Sequence, residues 1–264
     1  MSLPQSTGHT SSDGDRHRLW VAAASDIGPV RTENQDDWAL RPAASGRAIL
    51  VVADGMGGHR GGARAAAVAV AAASATLTAA EDADAAHTAA HDAANAAVGV
   101  HNRESGQDAG TTLVTAVVSE HRVTLGSIGD SRAYLVRAGG ATLLTDDHSW
   151  VGEQVRAGLM TEQQAAVDPR RNMLTRAVMG GSVTADVHTA ALRHGDVVVL
   201  CTDGFWGSLT VADIGAALSV SGPLEDVVAG AVAGALAAGA DDNVTVVACR
   251  VHPVGGAVEQ DRPR

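Results

Sequence analysis

TTLVTAVVSEHRVTLGSIGD, Thr111–Asp130, sets two β-branched apolar runs on either side of a short polar break between Ser119 and Arg122. Runs of this kind at this spacing read as a hairpin of two antiparallel strands, and the second strand ends in an acid beside glycine. Outward from it, similar runs recur as RAILVVAD (47–54), RAYLVR (132–137), DVVVLCTD (196–203) and NVTVVACRV (243–251), with turn residues at their ends. Helical stretches lie between them at 63–80, 83–102, 150–157, 161–167 and 211–239, the last broken near Gly222 and Pro223. Strands that bunch in hairpins, and two long Ala-rich helices that come together, predict an α+β domain: a β-sandwich of two antiparallel sheets with helices outside it. One such domain spans 18–252, and the Ser-, Gly- and Asp-rich ends, 1–17 and 253–264, read as tails without periodicity.

Composition narrows the function. The chain is 264 residues long and 45% hydrophobic, but only 2% aromatic, so its core must be built from closely packed Ala, Val, Leu and Ile. All 19 basic residues are arginine, they are scattered, and the net charge is -11, which argues against a nucleic-acid binder. Cys201 and Cys249 stand alone in apolar runs and read as buried thiols of a reducing compartment. The opening residues carry no charged n-region followed by an apolar h-region, so no signal peptide is expected. The most apolar stretch, AAAVAVAAASATLTAA from Ala65, is shorter than the roughly 20 residues a membrane span needs. A cytoplasmic protein with that stretch as a buried helix is the expectation.

Three apolar strands run out into Asp beside Gly: Asp54 before Gly55, Asp130 after Gly129, and Asp203 before Gly204. Asp242 sits just ahead of the run from Asn243, and Asp36 follows Arg31 in VRTENQDDW. One Asp-Gly pair is an ordinary turn. Several that converge would raise one another's pKa unless a cation neutralised them, and carboxylate, carbonyl and water oxygens suit Mg²⁺ or Mn²⁺. Gly55 would let a bare backbone carbonyl approach the ion. The glycine loop VVADGMGGHR is neither a Walker A loop, which needs the Lys this chain lacks, nor a dinucleotide fingerprint, whose third glycine falls on Arg60. Neither cysteine has the arginine six residues on that a thiol-based phosphatase requires; Gly207 and Gly255 stand there.

VRTENQDD, VVADGMGGH, AGTTL, GSIGDSRAYLVR, LTDDHSWVGEQVRAGLMT, RNMLTRAVMG, LCTDGFW and DDNVTVV, in this order from about Leu19 to Val251, resemble the PPM, or PP2C-type, metal-dependent protein serine/threonine phosphatases in their bacterial form. The resemblance implies a central β-sandwich flanked by helices, and hydrolysis of phosphoserine and phosphothreonine by direct attack of a water that bridges two metal ions. Position by position, it implies that Asp54 bridges two Mn²⁺ or Mg²⁺ ions, that Gly55 offers its carbonyl to the second, and that Asp203 and Asp242 complete the first. Asp36 would order metal-bound water, Asp130 with Asp203 would form a third, weaker site, and Arg31 would grip the substrate phosphate. The segment from about 148 to 180 would be a flap beside the site. Partners would be phosphorylated proteins, Ser/Thr kinases or their substrates, met by a monomer in the cytoplasm with no nucleic acid and no membrane.

The chain departs from the family pattern at Gln35, where Glu is usual before the metal-ordering Asp, and at Ala63, where the GGH-x-x-G-E pattern has Glu, while Arg60 and Arg64 make that helix start more basic. Met56 stands where eukaryotic relatives carry a candidate acid His, and His59 and His148 read as structural rather than catalytic. Asn243 either caps the loop of Asp242 or is a plain turn residue. Two other readings stay open: a phosphohydrolase for another phosphoester, and a catalytically weak regulatory or binding module on the same fold.

Overall fold

The computed structural model describes residues 9–10, 18–43, 46–57 and 61–252. Two antiparallel sheets pack face to face. One runs β1 (His9–Thr10), β2 (Arg18–Asp26), β12 (Val244–His252), β11 (Val197–Cys201), β8 (Arg132–Arg137), β9 (Gly140–Leu143). The other runs β10 (Asp186–Ala191), β7 (Arg122–Ile128), β6 (Leu113–Val118), β4 (Arg47–Met56), β3 (Asp36–Ala43), with the short β5 (Gly110–Thr111) beside the end of β4. Helices α1 (Gly61–Ala79) and α2 (His87–Ser105) cover the second sheet, and α6 (Val211–Leu218) and α7 (Leu224–Ala237) cover the first.

The unbroken apolar runs follow from this layering, because each central strand is buried on both faces. In β4, Leu50 and Val52 enter the core between the sheets, while Ile49, Val51 and Ala53 pack under the Ala face of α1 and α2. In β12, Val247, Cys249 and Val251 face the other sheet, and Val244, Val246 and Ala248 face α7. Both cysteines are buried and free, and burial pushes each thiol far above its usual range, so neither is a nucleophile.

The hairpin read at Ser119–Arg122 is the β6–β7 turn, and the break read at Gly222–Pro223 separates α6 from α7. Helix α2 begins at His87, not at 83, because Asp84 is drawn out of the helix into ion pairs with Arg47 and Arg122 and a hydrogen bond from Thr124. Helix α1 is 19 residues long and by length and composition could cross a membrane, longer than the sequence reading allowed. It buries Ala65, Ala66, Ala69, Val70, Ala73 and Leu77 in the core instead, as expected of a buried helix. Within the stretch read as an N-terminal tail, His9–Thr10 pair with β2; its other residues before Arg18, and those from 253 on, lie outside the described residues, as do His59 and Arg60.

Leu200 is fully buried between the two sheets. Leu200→Ala should cost about 2–5 kcal/mol in urea unfolding, whereas Val220→Ala, at a position 55% exposed, should stay within about 0.5 kcal/mol of wild type.

Candidate active site

The antiparallel register gathers the acids at one end of the sandwich. Asp36 opens β3 directly opposite Asp54 at the close of β4. Cys201, two residues before Asp203, pairs with Arg132, two residues after Asp130, and with Val246 of β12, whose start is preceded by Asp242. Strands that run in opposite directions thus bring C-terminal acids and N-terminal acids to one edge.

The electrostatics follow from that crowding. Burial, with the nearby charges of Asp36, Asp203, Asp130 and Asp242, holds the Asp54 carboxyl well above the usual range, so Asp54 feels all four of the others. Asp36 is pushed up to about 7 and Asp130 to about 8, in both cases first by burial and then by neighbouring acids. Asp203 is raised by burial and by Asp242. Oδ1 of Asp36 and Oδ1 of Asp203 are shut off from solvent without a hydrogen-bond partner. Raised carboxyls, two unpartnered oxygens and a donor set of oxygen alone fit a hard divalent cation. The five acids expected at the site are brought together, and Arg31 reaches them from the surface: its Nη2 lies 2.5 Å from Oδ2 of Asp242.

Gly55 is required where it stands. A Cβ there would sit 2.2 Å from the Gly62 carbonyl oxygen and 2.7 Å from that of Gln35, so the start of α1 lies directly on the backbone of the acid loop. Ala63 and Arg64 follow in that first turn, Arg64 exposed.

Several supporting residues escaped the sequence reading. The Asp54 N–H donates to Thr112 Oγ1 (2.9 Å), and the Asp54 carbonyl accepts from the Thr112 N–H (2.9 Å) and from Thr111 Oγ1 (2.9 Å). Thr112 Oγ1 also meets Ser131 Oγ at 2.7 Å, which ties Asp54 to the neighbour of Asp130. Thr202 donates its hydroxyl to Asp36 Oδ2 (2.9 Å) and accepts from the Thr245 N–H (3.1 Å). Asn243 is more than a turn residue: its Oδ1 accepts from the Gln35 N–H (2.8 Å), and its Nδ2 donates to the Ile27 and Glu33 carbonyls. The loop of Arg31 and Asp36 is thereby bound to the loop of Asp242. Threonine in a β-branched run reads as a strand former, so only the motifs AGTTL and LCTDGFW pointed toward the hydroxyls of Thr111, Thr112 and Thr202.

Arg132 makes a two-pronged pair with Asp147 (2.9 and 2.7 Å), donates to the Tyr134 hydroxyl, and lies 3.5 Å over the Trp206 ring, whose Nε1 donates to the Asp130 carbonyl. The segment expected as a flap carries α3 (Trp150–Arg156) and α4 (Glu162–Val167), capped by Ser149 and Thr161. Its ends are tied to the acid loops: His148 Nδ1 accepts from the Gly129 N–H (3.1 Å), and Val178 exchanges backbone bonds with Thr111. His148 is buried, donates through Nε2 to Asp186, and is held below its usual pKa chiefly by burial. It is therefore a neutral structural link, as its sequence context suggested.

The chain matches the model of the protein phosphatase 2C family over residues 30–228. It is 31% identical over 232 residues to the serine/threonine phosphatase stp of Listeria innocua, covering 84% of this chain and 92% of that protein. It is 31% identical over 233 residues to protein phosphatase PhpP of Streptococcus pneumoniae, covering 86% of this chain and 95% of that one. Among solved structures, the catalytic domain of the serine/threonine phosphatase PstP, in complex with two manganese ions, is 34% identical with a TM-score of 0.78, covering 89% of this chain and 98% of that one. The chain belongs to the protein phosphatase 2C family and is a serine/threonine phosphatase of the bacterial PPM type.

Thr112→Val should leave the Asp54 N–H and the Ser131 hydroxyl without their shared partner, costing about 1–3 kcal/mol. A fall in phosphatase turnover that Thr112→Ser restores would place the effect in that hydroxyl; equal turnover in the Val and Ser variants would remove it from the site's support.

Proposed function

We propose that this chain dephosphorylates phosphoserine and phosphothreonine in proteins at the carboxylate cluster, with Mn²⁺ or Mg²⁺ as cofactor. The observation that carries this reading is the convergence of Asp36, Asp54, Asp130, Asp203 and Asp242, in which burial and neighbouring acids hold the carboxyls of Asp36, Asp54, Asp130 and Asp203 above their usual range, with two buried oxygens left unpartnered. Asp54, the Gly55 carbonyl, Asp203 and Asp242 would hold two ions, with Asp36 alongside; Asp130 and Asp203 would hold a third. Bound there, such ions supply acidified water and charge neutralisation for in-line displacement at phosphorus, without a phosphoenzyme.

The chain's own residues supply positioning. Thr111 and Thr112 fix the backbone of Asp54, Thr202 fixes Asp36, and Asn243 fixes the loop that presents Arg31. The side chain of Arg31 is 51% exposed and pairs with Asp242, so its guanidinium stands at the mouth of the cluster. A planar fork of donors there suits the equatorial oxygens of a phosphate. With a net charge of -11, recognition rests on this local positive charge and on the flap rather than on long-range attraction. Phosphorylated kinases or their substrates in the cytoplasm, met by a monomer, complete the reading.

Purified protein should hydrolyse a phosphothreonine peptide with Mn²⁺ and lose that activity with chelator. Asp54→Asn should lower kcat by roughly 100-fold or more, and Arg31→Ala should lower kcat/KM by roughly 100-fold. Bound Mn²⁺ without turnover would overturn the reading in favour of a binding module. Preference for a diester or a small phosphomonoester over the peptide would assign another substrate class.

The raised carboxyls give a second test. A carboxyl lifted by folding from 3.8 to about 7 (Asp36) or about 8 (Asp130) contributes stability at low pH and loses it as pH rises through that range. The chelated protein should therefore weaken between about pH 5 and 8, and the rise in Tm on adding Mn²⁺ should be several degrees larger at pH 8 than at pH 5. His87 and His91, held down to about 4 and about 3 chiefly by burial, favour high pH instead. Their contribution is common to both forms and cancels in that difference. A Mn²⁺-induced shift independent of pH would show that the acids are not the ligands.

A further inference from the structure

Outside the carboxylate cluster, β10 carries a polar row where its sheet expects an apolar one. Residues alternate along it between half-buried and exposed, and the half-buried row reads Asp186, His188, Ala190. His188 pairs in register with Leu125, a residue of the core between the sheets, and cross-strand partners share a face. An edge strand has thus turned an imidazole and a carboxylate inward. Across from them stands exposed Asp146, just past β9; its neighbour Asp147 is committed to Arg132. One ligand atom each from Asp146, Asp186 and His188 lie within 4.8 Å of one another.

Two further observations separate this group from an ordinary acidic surface. Nε2 of His188 is shut off from solvent and has no hydrogen-bond partner, an unusual state for a ring nitrogen that costs free energy unless something fills it. Asp186 Oδ1 accepts from Arg176 Nη1 (2.7 Å) and Oδ2 accepts from His148 Nε2 (3.0 Å) and Arg176 Nη2 (3.5 Å), so that carboxylate is held in place while Oδ1 keeps a further lone pair.

We propose that Asp146, Asp186 and His188 form a second metal site, for a divalent transition cation such as Zn²⁺, separate from the catalytic cluster and sharing no residue with it. One imidazole and two carboxylates are a donor set that Zn²⁺ accepts with water completing the shell, and ligands at about 2.1 Å from one ion lie roughly 3.4 Å apart. Side-chain rotation of about an ångström from the present spacing closes the site. The described residues of the catalytic cluster offer oxygen alone, so a nitrogen donor marks this site off chemically. A cation here would clasp β10 to the segment after β9 that leads through His148 into the flap, and would stabilise that junction by mass action.

The test is Zn²⁺ calorimetry on tag-free protein in the Asp54→Asn background, repeated with His188→Ala and, independently, with Asp146→Asn, a change at an exposed residue that should leave folding intact. The expected result is one Zn²⁺ equivalent lost in His188→Ala and an affinity at least tenfold weaker in Asp146→Asn, with circular dichroism unchanged. In the otherwise wild-type chain, both substitutions should leave Mn²⁺-supported turnover within about twofold. Stoichiometry and affinity unchanged by both substitutions would overturn the proposal, because any Zn²⁺ still bound would then be held by other residues.

Discussion

Repulsion among carboxylates at one end of the sandwich is the constraint around which this molecule is organised. Left to themselves, Asp36, Asp54, Asp130, Asp203 and Asp242 would splay apart. They cannot, because each is fixed by the strand it opens or closes, and those strands are held in register over their full lengths. The apolar layers above, between and below the sheets therefore serve the site directly. Hydrophobic burial, the largest favourable term in folding, opposes a local electrostatic cost that only a cation or protons relieve.

Backbone pins complete that constraint. Strand pairing fixes position to within a residue, whereas a cation site needs its oxygens placed more finely. Thr111 and Thr112 clasp both backbone polar groups of Asp54, Thr202 links Asp36 to Thr245 across the two sheets, and Asn243 stitches the Arg31 loop to the Asp242 loop. The segment from 148 to 180, expected as a flap, is tied to the same two places, at Gly129 beside Asp130 and at Thr111 beside Asp54.

The strand-end acids were legible because an ionisable group immediately after an apolar run is a strong break in pattern, and three such breaks ended in the same dipeptide chemistry. Asp36 was legible only through its motif, since it begins a strand whose half-buried residues carry no clear period. β10 was invisible for a related reason: Asp186 and His188 occupy the positions that an alternation test expects to be apolar. The hydroxyls of Thr112 and Thr202 were hidden by their own propensity, because threonine inside a valine run looks like strand filler. The start of α2 was misplaced because Asp84 is claimed by Arg47 and Arg122 from distant strands, a tertiary demand that local sequence does not carry.

The two departures from the family pattern bear on whether the chain is a working enzyme. At Gln35 the backbone does much of the structural work: its N–H is held by Asn243 and its carbonyl accepts from the Gly55 N–H at 3.1 Å. Replacing Glu by Gln leaves those bonds in place and removes one negative charge from a neighbourhood already crowded with them. Ala63 sits one residue beyond the Gly55–Gly62 backbone contact, so that close approach, which forbids any side chain at Gly55, survives the loss of the carboxylate. A chain released from catalysis would have no cause to keep five mutually repelling acids together with the hydroxyls that aim them. Their joint retention argues for a functioning serine/threonine phosphatase over a fold kept only to bind a partner.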